Sequence, residues 1–300
     1  MNINYYKNCK LCPHECGIDR FKNLGICKQT SDIKLARASL HMWEEPPITG
    51  KNGSGTVFFT GCSLNCVFCQ NKKISHTNLG LTKTINELSD IFLRLQNEKK
   101  ATNINLVTPT HFSVSIAKAI EISKKNGLKI PIVYNTSGFE KEDIIEELKD
   151  TVDIFLTDFK YFDDSLAEKY SKIKNYSKYA KSAIKKMYEI TGKFKIEENI
   201  MKKGVIARIL VLPNEKEDAK NIIKFLYDTF KDNIIISIMN QYTPTEKYKY
   251  ENLNRKVSKE EYEDVVNFAI DLGIENAFIQ EDGTVSESFI PNFESFEGIK

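Results

Sequence analysis

Near-continuous apolar runs alternate along this chain with stretches where apolar residues recur every three or four positions. The runs fall at residues 56–60, 103–108, 131–135, 152–157, 205–212 and 234–239, with a weaker one at 277–280. Such runs are expected of parallel strands covered on both faces. Between them, Ile85, Leu88, Phe92 and Leu95 share one helical face, and Thr84 with Glu87 forms a capping box at its start. Ile222, Ile223, Phe225 and Leu226 mark a second helix. Tyr262, Val265, Val266, Ala269 and Leu272 mark a third, opened by Ser258 and Glu261 and stopped at Gly273. Repeated βα units without a strong hairpin signal predict an α/β fold, a partial or open (β/α)6 TIM-like barrel over residues 56–300. Ligands then gather at the C-terminal ends of the strands.

Residues 1–55 break the pattern. They are cysteine- and turn-rich over 9–27, carry a strand pattern at 32–40, and read as a loop over 43–54. No long polar linker follows, so they form a cysteine-rich extension packed on the core. In the barrel, the strand ends carry Thr108-Pro109-Thr110-His111, Asn135-Thr136-Ser137-Gly138 and Asp158-Phe159-Lys160, three polar turns facing one mouth.

Charge adds an exclusion. With 43 Lys and Arg against 41 Asp and Glu, the net charge is +2, and no global field points to nucleic acid or acidic lipid. The start has no apolar targeting core and no apolar run approaches a membrane span, so a soluble, cytoplasmic protein is expected. In that setting seven cysteines are ligands rather than disulfides. They cluster as Cys9, Cys12, Cys16 and Cys27, then as Cys62, Cys66 and Cys69.

The second group, TGCSLNCVFCQN, follows the first barrel strand in C-x3-C-x2-C spacing. Three thiolates can hold three irons of a [4Fe-4S] cube and leave the fourth iron open to a small molecule. This loop resembles that of the radical S-adenosylmethionine (SAM) superfamily. Phe68 before the last cysteine, and Asn71 two residues after it, are similar to the ending found in activating enzymes of glycyl-radical enzymes. NINLVTPTHF, IPIVYNTSGF, DIFLTDFKY, IARILVLP, MNQYTP and CKLCPHECGIDR extend the likeness to the pyruvate formate-lyase activating enzyme-related group.

The resemblance implies that Cys62, Cys66 and Cys69 ligate the cluster and that the amino and carboxylate groups of SAM chelate its open iron. One electron then cleaves SAM, and the 5'-deoxyadenosyl radical abstracts a hydrogen atom from the substrate. Phe68 would shield the cluster. Thr108 and Thr110 stand where many relatives carry Gly-Gly-Glu, so hydroxyl or backbone oxygens would receive the SAM amino group. Asn135 and Thr136, with Asp158 and Lys160, occupy the places that hold a cation and the SAM carboxylate. Asn135 replaces an aspartate there, which weakens cation binding. Arg208, in an apolar strand, needs an anion: the SAM carboxylate, or a structural pair with Asp158 or Glu281. Asn240, Gln241 and Tyr242 fall at the mouth, and His111 is either a proton relay or a helix-start residue.

Cys9, Cys12, Cys16 and Cys27 offer four soft ligands for zinc or an auxiliary iron–sulfur cluster, the alternative being free thiols; His14 is a further candidate ligand. The implied partners are a one-electron donor, a flavodoxin or ferredoxin, and a glycyl-radical enzyme. Hydrogen abstraction from a small molecule or peptide, and a non-catalytic metal-binding or electron-transfer role, are the other functions these residues allow.

Overall fold

The computed structural model describes residues 1–280 and 291–299. Its strands are β1 (Ile33–His41), β2 (Ser54–Phe59), β3 (Leu81–Lys83), β4 (Ile104–Val107) and β5 (Ile132–Thr136), followed by β6 (Ile154–Asp158), β7 (Lys195–Glu197), β8 (Ile200–Leu210), β9 (Ile235–Met239) and β10 (Ala277–Ile279). The helices are α1 (Pro46–Thr49), α2 (Lys72–Ser75), α3 (Ile85–Asn97), α4 (Ser113–Lys125) and α5 (Glu142–Glu146), then α6 (Asp164–Ser171), α7 (Tyr176–Thr191), α8 (Lys216–Phe230) and α9 (Lys259–Asp271).

The main sheet runs β10-β9-β8-β6-β5-β4-β2-β1-β3. From β10 to β2 all neighbours are parallel, while β1 is antiparallel to β2 and β3 antiparallel to β1. The two ends of this order do not pair, so the barrel is partial and open along one flank. The apolar runs form the seven parallel strands as expected, and β2, β5 and β9 are buried at every position. The strand pattern near residue 33 joins the same sheet instead of standing apart from it.

Alternation along the strands sorts their side chains. Tyr134, Phe155, Ala207 and Ile236 pack outward into the main core with the helices. Val133, Ile154, Leu156, Ile206 and Ile235 point inward and meet Ile48 of α1, which plugs the barrel. Because the side-chain period is two, the next inward positions toward the strand ends are Asn135, Asp158, Arg208 and Ser237. A polar layer therefore lies above an apolar one.

Both expected capping boxes are present, at Thr84/Glu87 and Ser258/Glu261. They fix the starts of α3 and α9, whose buried faces carry Leu88, Phe92 and Leu95, and Tyr262, Val265 and Ala269.

Candidate functional site: a three-cysteine loop above a charged layer

The loop after β2 is set by backbone constraints. Gly61 has φ +86°, and a Cβ there would lie 2.6 Å from the Cys27 carbonyl oxygen and 2.5 Å from Gln29 Cγ. Only glycine allows both the turn and this approach of the N-terminal arm. His14 of that arm donates to the Ser63 carbonyl at 2.7 Å. On the other side Val67 N–H donates to the Tyr170 carbonyl at 2.8 Å, tying the loop to the end of α6.

Cys62, Cys66 and Cys69 all line one cavity of about 600 Å³ at the C-terminal ends of the strands. Ser171 donates to Cys66 Sγ at 3.0 Å, and Tyr161 lies 2.7 Å from the Ser171 hydroxyl. Leu64 N–H donates to Cys62 Sγ at 3.3 Å, and Ser75 Oγ is 3.2 Å from Cys69 Sγ. Burial pushes the Cys62 and Cys69 thiols above their ordinary values, and the neighbouring cysteines add to the effect. A bound metal reverses that preference and makes thiolates the stable form. Phe68 packs edge-on against Tyr161, Tyr170 and Tyr242 at 6.0–6.4 Å. Asn71 lines the cavity where α2 begins.

Beside the loop, Lys160 Nζ donates to Asp158 Oδ2 at 2.7 Å, and Arg208 Nε to Asp158 Oδ1 at 2.8 Å. Arg208 also reaches Asn135 Oδ1 at 2.7 Å and Glu44 Oε2 at 3.3 Å. Asn105 donates to Glu44 Oε1 at 2.9 Å. Burial alone would raise the Asp158 carboxyl, but Arg208 and Lys160 together hold it below its ordinary value. Asp158, Lys160, Arg208 and Asn135 are thus one connected network, and Arg208 is paired with Asp158 as one alternative expected. The other expected partner, Glu281, lies outside the described residues. Glu44 and Glu45, from the loop that carries α1, line the same cavity and were not anticipated.

The remaining expected residues divide between the cavity and the core around it. Thr108 lines the cavity with φ +59°, a left-handed turn that directs the following residues away from it. Thr110 does not line it: its hydroxyl is buried and donates to Glu140 Oε1. Thr136 lines the cavity, yet its hydroxyl also turns to Glu140. His111 is a buried helix-start residue whose Nε2 donates to the Thr60 carbonyl at 2.7 Å; burial lowers its imidazole to about 3, so it stays neutral. Gln241 reaches the cavity, Tyr242 instead donates to the Leu253 carbonyl behind Phe68, and Asn240 lies off the lining.

Glu140 is fully buried, and burial pushes its carboxyl up to about 7 against the pull of Thr110 and Thr136. A raised acid favours folding below its unfolded value and loses that contribution as pH rises through the folded value. Glu140→Gln should therefore flatten a loss on the order of 3 kcal/mol between about pH 4.5 and 7. Denaturant melts across that window measure it; an unchanged pH slope counts against the assignment.

The N-terminal cysteines lie near one another: Cys9 and Cys27 both raise the buried Cys12 thiol, and Cys9 and Cys16 act on Cys27 in the same sense. Among the described residues, no three His, Cys, Asp or Glu side chains converge on a point that could hold a metal ion. A cube, whose three cysteines each bind a different iron, does not require such convergence; a zinc site does. In the arm, Cys9 lies beside the buried Arg20, whose guanidinium sits 4.9 Å from the Tyr6 ring centroid and donates to the carbonyls of Gln29, Thr30 and His111. The auxiliary metal expected from Cys9, Cys12, Cys16 and Cys27 gains no support, and His14 is a latch on the loop.

Residues 56–226 match the family model described as the Radical SAM superfamily. The chain belongs to the radical SAM superfamily. An uncharacterized protein of Methanocaldococcus jannaschii is 32% identical over 276 residues, covering 89% of this chain and 75% of that one. Among solved structures, a radical SAM methyltransferase from Sphaerobacter thermophilus aligns with TM-score 0.54 at 15% identity, over 77% of this chain and 67% of its own. SuiB of Streptococcus suis, bound to precursor peptide SuiA, aligns with TM-score 0.50 at 13% identity, over 74% of this chain and 47% of its own. At these identities the likeness concerns the fold, and this chain spans about half of SuiB. The cofactors of a radical SAM protein are a [4Fe-4S] cluster and SAM, and the all-thiolate donor set of the loop suits the first. No described helix is long and apolar enough to cross a membrane.

Proposed function

We propose that this radical SAM protein is an enzyme in which Cys62, Cys66 and Cys69 hold the [4Fe-4S] cluster and SAM binds between the loop and the charged layer. The observation that carries the reading is that three thiols from one loop line the same cavity as Asn135, Asp158, Lys160 and Arg208. When bound, cluster and SAM supply one-electron carbon–sulfur cleavage and hydrogen-atom abstraction, with a flavodoxin or ferredoxin as the electron source. Lys160 offers a carboxylate a cationic donor that Asp158 keeps in place. Phe68, wedged among three tyrosines, keeps water from one side of the loop.

The C-x3-C-x2-C-x-N ending and the Asp158-Phe159-Lys160 triplet favour an activase-like role on a backbone glycine of a partner enzyme. The buried charged layer favours the second reading, a small molecule or peptide drawn into the cavity. Anaerobic reconstitution tests the common part: a brown protein that converts SAM to 5'-deoxyadenosine and methionine is expected, and a colourless, iron-free one would overturn it. Deuterium transfer into 5'-deoxyadenosine from candidate substrates separates the two readings.

Ser171 bears on the cluster's potential. A hydroxyl donated to a ligating sulfur stabilises the reduced, more negative state. Ser171→Ala should lower the potential by roughly 20–60 mV, the one-electron equivalent of about 0.5–1.5 kcal/mol. Redox titration followed by electron paramagnetic resonance reads the shift; an unmoved potential argues against the contact.

A further inference from the structure

At the end of the charged layer away from the cysteines, one buried carboxylate oxygen is left without a hydrogen-bond donor. The contacts run from Lys160 to Asp158, then to Arg208, then to Glu44. Asp158 has two cationic partners, and Glu44 has Arg208, Asn105 and Asn135. Glu45, the adjacent residue, is 8% exposed; it shares the charge of Arg208 and accepts from its own backbone N–H and the Ser237 hydroxyl, but its Oε2 has no hydrogen-bond partner. Three carboxylates thus share two cations. The remaining titratable group nearby, His41 on β1, is held neutral by burial, its imidazole lowered to about 4. A buried charged oxygen without a donor is costly, so a protein that keeps one in a ligand cavity has left room for a donor from outside. Burial raises the Glu45 carboxyl, with Arg208 pulling the other way, so a cation brought to it from outside would favour its charged form.

The way in has a different character. Met42, Trp43 and Ile279 line the cavity and are 47%, 62% and 53% exposed, which gives it an apolar rim on the flank where the barrel is open. Apolar at the rim and anionic inside, the cavity suits an ammonium group on an apolar stem.

We propose that Glu45 anchors a protonated primary amine of the substrate, carried on an apolar stem of several carbons. The inference rests on the reading of this cavity as the radical site, and it places the amine at the end of the substrate remote from the cluster. Glu45 accepts from the ammonium, Ser237 orients the carboxylate, and the stem lies along the rim residues.

The test uses the full chain, reconstituted anaerobically and saturated with SAM, with n-butylamine and its neutral counterpart n-butanol as probes. Calorimetry or saturation-transfer NMR should show n-butylammonium binding at least about tenfold more tightly than n-butanol, with the preference abolished by Glu45→Gln. Equal binding of the two probes, an unchanged preference in the variant, or displacement of SAM by n-butylamine would each overturn the proposal. Should Glu45→Gln not fold, Glu45→Asp withdraws the carboxylate by one methylene, and a severalfold weaker preference is expected; an undiminished one is decisive against it. If the wild type takes up no iron or binds no SAM, the radical SAM reading fails separately. The same amine-to-alcohol comparison on the iron-free chain still decides the role of Glu45.

Discussion

Cys66→Ala is expected to abolish 5'-deoxyadenosine formation while leaving the barrel folded. Two of the three loop thiols are then left to hold the cube, one short of the three that line the cavity in the wild type. The structural cost is small by comparison. Cys66 accepts from Ser171, but that hydroxyl also contacts Tyr161 at 2.7 Å and so keeps a partner. A loss of about 1 kcal/mol in stability is expected, on the scale of one net hydrogen bond. Iron content, visible absorption and SAM cleavage, read beside a melting curve, separate the two effects. Retained cleavage in a folded variant would sink the ligand assignment.

Arg208→Ala should unfold the charged layer's logic rather than merely weaken it. The guanidinium pairs with Asp158 and Glu44 and also holds Asn135, at side-chain exposures of 15% for Arg208, 17% for Asp158 and 9% for Glu44. Removing one member of a buried ion pair strands the others, at a cost of about 3–5 kcal/mol. The pH dependence should shift with it. In the wild type the Asp158 carboxyl is held low, so its contribution is present above the unfolded value and lost as pH falls through the folded one. Glu44 is already raised by burial against the pull of Arg208, and Asp158 would keep only Lys160, so the variant should lose more stability near pH 8 than near pH 5. Equilibrium unfolding at the two pH values decides. A variant as stable as wild type at both would show that the network contributes little to folding.

The parallel strands were legible because burial on both faces writes an unbroken apolar run, and the cysteine loop because its spacing is chemically specific. Arg208 was legible as a demand for an anion, but not the anions themselves. Glu44 and Glu45 lie in a proline-containing segment that reads as surface loop, and only the docking of Ile48 between the strands carries them inside. Thr110 was misread for a local reason: the left-handed turn at Thr108 reverses the chain before Thr110 can face the cavity. Its partner Glu140 lies 30 residues on, a distance that no spacing rule bridges. Helices α4, α6 and α7 were not anticipated individually. α6 matters most, since Tyr170 and Ser171 at its end secure the cysteine loop.

The latch of His14 on Ser63 and the seat of Gly61 against Cys27 and Gln29 have a practical corollary. A fragment trimmed to begin at residue 56, where the family match starts, would open β2 partway along its length and peel off the cover over the turn that delivers Cys62. Homology marks out the portable chemistry, whereas the polypeptide wraps that chemistry in its own first thirty-odd residues, so cutting by resemblance would leave the reactive corner undressed.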